Sequence, residues 1–156
     1  MLTQASPLVD AQVSLWRKYI QANINEALEL TPEDKLGWAP AAGMLTLGQV
    51  FAHIAETSDW WYDEVVRKNI SVELASKTVA SKAELKKHLQ IHWARLERFF
   101  AEPPEALGKT YSFVDKGKTW SFTGYWIFTH LLEHDIHHRC QIHQYLRILG
   151  IKPPRM

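Results

Sequence analysis

The pattern of hydrophobic positions predicts amphipathic helices along most of the chain. Apolar residues recur at spacings of three and four, which places them on one face of an α-helix. A first helix is expected to begin at Ser6-Pro7, where a capping residue precedes a proline, and to end at Thr31-Pro32. A second is expected from the capping box Thr46-Leu47-Gly48-Gln49 to about Arg67 or Asn69.

Two more helices are predicted in the second half of the chain. The third opens at another capping box, Ser81-Lys82-Ala83-Glu84, and stops before Pro103-Pro104. The fourth starts between Ser121 and Thr123 and ends at Gly150, a typical C-terminal stop. The apolar seam of the third helix alternates spacings of four and three, as in a helix packed near-antiparallel in a bundle: Leu85, Leu89, His92, Leu96 and Phe99.

The segment from Lys109 to Trp120 interrupts the helical pattern. Asp115-Lys116-Gly117-Lys118 is a turn signal between two short apolar stretches, so a hairpin or an ordered loop is expected there. Four long amphipathic helices in 156 residues predict an all-α fold, a four-helix bundle with this irregular or hairpin segment before the last helix. We expect one domain covering residues 1–156.

Composition narrows the class of protein. A formal net charge of +1 argues against nucleic acid or an acidic membrane surface as the main partner. No apolar stretch is long enough to span a bilayer and no secretory leader is recognisable, so a cytoplasmic location is expected. The one cysteine, Cys140, excludes an intrachain disulfide and fits a reducing compartment. At about 100° of helix rotation per residue, Cys140 points away from His134 and His138, which favours a packing role over a nucleophilic one.

Candidate chemistry is concentrated in the fourth helix. Five of the eight histidines fall between His130 and His143. Residues four apart lie on one face of a helix, so His130, His134 and His138 form a column. Two imidazoles in this relation can bind one divalent ion, although a histidine on a helix is more often a surface or core residue. His143 is expected on the opposite, solvent-exposed face.

A metal site in a bundle also needs ligands from a facing helix, and His53 is the natural candidate. It lies about two turns into the second helix, on the inward edge of the apolar stripe. His137 lies at the edge of the column, where it supports a ligand rather than being one. His130 is a fourth ligand, a pocket residue or a buried residue, and we favour the pocket. His92 either approaches the site or bonds to a neighbouring helix, and we favour the second.

Two groups of motifs surround the histidines. They are Gly37-Trp38-Ala39-Pro40, Leu45-Thr46-Leu47-Gly48-Gln49 and His53-Ile54-Ala55-Glu56 with Trp60-Trp61 beyond it, and then His134-Asp135-Ile136-His137-His138-Arg139-Cys140-Gln141 and Leu146-Arg147-Ile148-Leu149-Gly150. Together these runs resemble the DinB/YfiT-like superfamily, and the resemblance covers nearly the whole chain. Cys140 departs from the pattern, because the family usually has glycine at that position.

The resemblance implies a four-helix bundle with a divalent metal site formed by three histidines. Carried over position by position, the ligands are His53, His134 and His138. Imidazole ligands suit zinc or nickel, with iron or copper as further options. Glu56 is a possible acceptor for the second ring nitrogen of a ligand, and Trp60 a possible pocket residue.

Three functions remain open at this point, two enzymatic and one not. Some members of the superfamily are metal-dependent transferases or isomerases with a low-molecular-weight thiol as cosubstrate, which implies thiol transfer to an electrophilic small molecule. The alternatives are a metal-dependent hydrolase and a non-enzymatic metal-binding protein of a stress response. A small-molecule substrate and a homodimer formed through a helix face are expected, with no nucleic-acid or membrane partner.

Overall fold

The computed structural model describes residues 7–68 and 81–155. Four long helical segments, here called the first to fourth bundle helices, account for most of them. The first consists of α1 (Pro7–Trp16), a π-helical stretch (Arg17–Gln21) and α2 (Ala22–Leu30). The second consists of α3 (Leu47–Ser58) and another π-helical stretch (Asp59–Val66). The third is α4 (Lys82–Phe100) and the fourth is α6 (Gly124–Ile148).

The helix starts predicted from capping residues are confirmed wherever the structure describes them. The Thr46 hydroxyl accepts a hydrogen bond from the Gln49 backbone N–H at 3.2 Å, and the Gln49 side chain accepts one from the Thr46 N–H at 2.8 Å. Ser81 accepts from the Glu84 N–H at 3.2 Å, and Thr123 accepts from the Trp126 N–H at 3.1 Å. The predicted cap at Ser6 and the predicted limit at Asn69 lie outside the described residues.

The bundle helices follow an up-down-down-up order. The second bundle helix and α4 run in the same direction, because Ser58 bonds to His92 and Tyr62 packs on Phe99. The fourth, α6, runs opposite to the second, because His53 packs on His138 and Trp61 on Trp126. The first runs opposite to α4, because its Asn25 accepts from Trp93 while Trp16 packs on Phe100. The near-antiparallel packing expected for the third helix therefore holds with the first and fourth bundle helices.

The centre of the bundle contains a polar cluster shared by all four helices. The Asp135 carboxylate accepts from Trp16 Nε1 at 2.9 Å and lies 3.0 Å from His92 Nε2. The other ring nitrogen of His92, Nδ1, lies 2.8 Å from the Ser58 hydroxyl. Ser58, His92 and Asp135 are all 0% exposed. Each member has a partner, as buried polar groups require, and the cluster fixes the relative rotation of the helices.

The irregular segment before the last helix is a hairpin preceded by one short helix. The short helix, α5, spans Pro104–Gly108, and the strands β1 and β2 span Thr110–Asp115 and Lys118–Thr123. Lys116 and Gly117 form the two-residue turn with φ of 48° and 75°, which is the turn geometry that matches the twist of a hairpin. The predicted hairpin is confirmed, whereas α5 was not predicted.

Candidate metal centre

Three histidines from two helices meet at one end of the cleft between the second bundle helix and α6. One nitrogen of each ring, from His53, His134 and His138, lies within 4.8 Å of the other two. The Nε2 atoms of His53 and His134 are 3.2 Å apart. His53 comes from α3, while His134 and His138 are one turn apart on α6. The structure thus brings together the three residues that the sequence placed on facing helices.

The spacing of these nitrogens fits a divalent metal ion. Zinc binds imidazole nitrogen at about 2.0–2.1 Å, so two ligands of a tetrahedral site are about 3.3 Å apart. The separation of 3.2 Å between Nε2 of His53 and Nε2 of His134 matches that value. The donor set, three imidazoles with no thiolate, leaves at least one coordination position for another ligand, as in catalytic rather than structural zinc sites.

The protein environment favours the neutral form of His134 and His138. Burial, with the positive charge that His138 and His53 carry when protonated, lowers the pKa of His134 to about 2. Burial also lowers the pKa of His138, although its hydrogen bond to Gln141 acts in the opposite direction. Because a metal ligand must be deprotonated at the coordinating nitrogen, low pKa values keep the lone pairs available at neutral pH.

An open cleft of about 400 Å³ leads to this cluster. Its volume is in the range of small-molecule sites. His53 lines it with 43% of its side chain exposed, so a molecule in the cleft can reach the cluster. The lining residues are His53, Glu56, Thr57, Trp60, Trp61, His130 and His134.

Aromatic rings form one wall of the cleft. Trp61 packs edge-on against Phe122, Trp126 and His130, with ring centroids 5.2–5.4 Å apart. Trp60 packs against Phe113 of the hairpin at 5.3 Å. These contacts give the cleft a rigid apolar side next to the polar histidine cluster.

Thr57 is a functional candidate that the sequence analysis missed. Its hydroxyl donates to the His53 backbone carbonyl at 3.0 Å and lies 2.9 Å from Nε2 of His134. With its hydrogen used by the carbonyl, the Thr57 oxygen accepts from Nε2 of His134 in the metal-free protein, and it can accept from another group if Nε2 binds an ion. The spacing of four residues after His53 was the available signal, because it places both on one helix face.

Of the other residues predicted near the site, His130 and Trp60 line the cleft, whereas His137 and Glu56 make looser contacts with the histidines. His130 lines the cleft as favoured, with its ring stacked on Trp126 at 4.8 Å. Trp60 also lines it. His137 is exposed and touches the His138 ring edge-on at 4.8 Å. The Glu56 carboxylate is 3.8 Å from His53 Nδ1, too far for the hydrogen bond expected of it.

The predictions that His143 is exposed and that Cys140 is packed are wrong, whereas His92 bonds to neighbouring helices as predicted. His143 is only 7% exposed, because the first bundle helix covers the face of α6 opposite His134. Contact between the two helices on that face includes a hydrogen bond from Arg139 to the Tyr19 carbonyl at 3.4 Å. Cys140 is exposed rather than packed. His92 lies in the central polar cluster, bonded to neighbouring helices.

Within residues 7–68 and 81–155, no helix is both long enough and apolar enough to cross a lipid bilayer.

Comparisons with known proteins agree with this architecture. Two solved structures have the same fold: a DinB-like protein from Bacillus cereus (TM-score 0.74, 21% identity, covering 94% of this chain and 96% of that one) and the DinB-like protein YjoA from Bacillus subtilis (TM-score 0.69, 21% identity, covering 93% and 96%). A search of curated proteins found no match. The sequence profile of the DinB superfamily matches residues 18–142, which include all three clustered histidines and most of the bundle, so this chain belongs to the DinB superfamily.

Proposed function

We propose that His53, His134 and His138 bind one divalent metal ion, and that the chain is an enzyme transferring a low-molecular-weight thiol to an electrophilic small molecule. The observation that carries the proposal is the convergence of three imidazole nitrogens within 4.8 Å beside an open cleft that His53 and His134 line. Zinc or nickel is the expected ion, because imidazole ligands suit both; iron and copper are the alternatives.

When bound, the ion would supply a Lewis acid that lowers the pKa of a thiol. The three histidines hold it, and the acceptor oxygen of Thr57 orients a hydrogen-bearing group beside His134. The aromatic wall with Trp60 and Trp61 binds the apolar part of the electrophile and keeps water from that side. In the transfer the sulfur–carbon bond forms as the bond from carbon to the leaving group breaks, and the thiol proton passes to solvent.

Hydrolysis is the second candidate, favoured by the position of Glu56. Its carboxylate lines the same cleft, where it can accept a proton from an attacking water. A non-enzymatic metal-binding protein, including one of a stress response, is the third possibility. All three share the histidine cluster and differ in what reacts there.

Metal content is the first test of this proposal. Untagged protein purified without chelator is analysed by elemental mass spectrometry beside His134→Ala and a control, Gln144→Ala, which truncates an exposed side chain of the same helix. We expect about one divalent ion per chain in the wild type and the control, and none in His134→Ala. Metal-free wild-type protein after incubation with zinc and nickel overturns the proposal.

Reactivity then separates the three candidates. Cobalt-loaded protein is titrated with 2-mercaptoethanol, and its absorption spectrum reports whether sulfur binds the ion. Turnover of thiol with 1-chloro-2,4-dinitrobenzene supports the transferase. Ester hydrolysis that is lost in Glu56→Gln favours the hydrolase, and bound metal with neither activity favours the non-enzymatic protein.

We also propose a small-molecule substrate, a cytoplasmic location and a homodimer. The net charge of +1 supports a partner other than nucleic acid or an anionic membrane, and the exposed free thiol of Cys140 suits a reducing compartment.

The dimer is supported by an apolar cavity of about 450 Å³ between the first bundle helix and α6, which Leu15 and Ile136 line with 57% and 42% exposure. Light scattering should give twice the chain mass, reduced to one chain in Leu15→Glu but not in Ile148→Glu, an exposed control on α6.

A further inference from the structure

A chain of three hydrogen bonds leads away from His138. Its Nδ1 lies 2.8 Å from the Gln141 side-chain oxygen. The Gln141 amide nitrogen lies 3.0 Å from the Tyr145 hydroxyl, and that hydroxyl lies 3.1 Å from the backbone carbonyl of Leu45. Gln141 and Tyr145 follow His138 on α6, whereas Leu45 comes just before the cap of α3.

The direction of every bond in this chain follows from its last member. A carbonyl oxygen only accepts, so the Tyr145 hydroxyl gives its one hydrogen to Leu45. The Tyr145 oxygen must then accept from Gln141, which directs the amide nitrogen of Gln141 towards Tyr145 and its oxygen towards His138. The amide oxygen also only accepts, so His138 Nδ1 must donate.

The tautomer of His138 is therefore set by the protein. A neutral imidazole with hydrogen on Nδ1 has its lone pair on Nε2. Nε2 of His138 has no hydrogen-bond partner among residues 7–68 and 81–155, and its ring lies 4.3 Å from the His134 ring and 4.8 Å from the His53 ring. Nε2 is the nitrogen left to bind a ligand.

His138 differs in this respect from the other two histidines of the cluster. Nδ1 of His134 is buried with no hydrogen-bond partner in the described part of the chain. Nδ1 of His53 makes no hydrogen bond within the described residues, and the Glu56 carboxylate lies 3.8 Å from it. His138 alone among the three is anchored through its second nitrogen, the arrangement that orients ligands in metal sites.

We propose that Gln141 and Tyr145 are positioning residues: they hold His138 with hydrogen on Nδ1 and Nε2 free for the metal ion. The inference rests on the proposed function for the role of Nε2, although the tautomer itself does not need a metal. The same bonds join α6 to the start of α3, so they set the position of His138 relative to the helix that carries His53. Tyr145 is held there by an edge-on contact with Trp38 at 5.8 Å.

The first test is the tautomer of His138 in metal-free protein, read from the ¹⁵N chemical shifts of its two ring nitrogens. We expect the Nδ1–H form in the wild type and in Gln141→Glu, because a carboxylate still accepts from Nδ1. Gln141→Leu should give a mixture in which the Nε2–H form increases, and Tyr145→Phe a smaller change in the same direction. Gln144→Leu, the same substitution at an exposed position of α6, is the matched control and should leave the shifts unchanged.

The second test is metal affinity, measured by competition between the protein and a chromophoric chelator for zinc. We expect Gln141→Leu to weaken binding about 10- to 100-fold, the usual effect of removing such a partner, with Gln141→Glu and Gln144→Leu near wild type. An unchanged tautomer and affinity in folded Gln141→Leu overturns the inference. If no variant binds metal but the tautomer changes as expected, the proposed function fails while the tautomer assignment stands.

Discussion

At the scale of single residues, His134 makes the stability of the metal-free protein depend on pH. Its pKa is lowered to about 2 from an ordinary 6.5, chiefly by burial. Below pH 6.5 the unfolded chain binds a proton at this residue and the folded chain does not. The free energy of unfolding therefore falls as the pH drops below 6.5, and continues to fall towards the folded pKa.

The resulting prediction concerns a single variant. Between pH 7.5 and pH 5 the His134 contribution to the free energy of unfolding should fall by about 2 kcal/mol. Metal-free His134→Gln should therefore show a loss smaller by that amount when urea unfolding is compared at the two pH values. Gln144→Leu, at an exposed position and without loss of a titratable group, should lose as much as the wild type. Equal losses of unfolding free energy in the wild type and His134→Gln would contradict the lowered pKa of His134.

The sequence revealed the ligand candidates better than their surroundings. A spacing of four residues was enough to put His134 and His138 on one face, since helix geometry is local. Thr57 and Gln141 were not identified, because their roles depend on which atoms the folded chain brings near the imidazoles. The burial of His143 was missed for the same reason, as it depends on how much of α6 the first bundle helix covers.

At the scale of elements, the short helix α5 fits against the start of α6 only because residue 124 is glycine. A Cβ atom there would lie 2.1 Å from the Ala106 carbonyl oxygen and 2.9 Å from the Leu107 Cα. The close approach is fixed by a hydrogen bond from the Gly124 N–H to the Lys109 carbonyl at 2.8 Å. Since both contacts are with backbone, neither can be relieved by a side-chain rotation.

Gly124→Ala should therefore lower the free energy of unfolding by about 2 kcal/mol, because α5 or the start of α6 must shift. Gly108→Ala is the matched control: a Cβ at residue 108 meets nothing within 4 Å, so stability should stay the same or rise slightly. Urea unfolding monitored by circular dichroism measures both. Equal stabilities of the two variants would show that the packing of α5 on α6 is not tight.

Element boundaries were predictable where a side chain caps the backbone, as at Thr46, Ser81 and Thr123. The hairpin was predictable from Gly117 and its neighbours, because a two-residue turn has strong local requirements. The parallel course of the second bundle helix and α4 was not, because amphipathic stripes do not specify direction. The π-helical stretches were also missed, since their one-residue register change leaves the apolar spacing nearly intact.

At the scale of the whole molecule, the polar cluster around Asp135 holds the four bundle helices in one arrangement. Ser58, His92 and Asp135 have the order of contacts found in nucleophilic triads, but all three are 0% exposed, so the Ser58 hydroxyl cannot meet a substrate. The cluster is structural. Because Asp135 directly follows His134, the cluster also fixes the rotation of α6 and therefore the position of His134 and His138.

Asp135→Asn should lower the free energy of unfolding by about 3 kcal/mol, because one carboxylate oxygen becomes an NH₂ group that faces Trp16 or His92, and the remaining oxygen accepts without a negative charge. Glu133→Gln makes the same chemical change at an exposed position of α6 and should alter stability by less than about 0.5 kcal/mol. Chemical unfolding followed by tryptophan fluorescence measures both variants. A loss in Asp135→Asn as small as that in Glu133→Gln contradicts the role of the cluster.

The hairpin gives this architecture a way to change its chemistry over evolutionary time. Phe113 and Phe122 shape the cleft by packing on Trp60 and Trp61, yet they stand on a two-stranded ribbon outside the four-helix core. Substitutions and length changes in such a ribbon alter which compounds fit without disturbing the helices that supply the histidines. Divergence among relatives in the compounds that fit the cleft is therefore expected to concentrate between residues 110 and 123, while the helices that carry the histidine cluster stay constant.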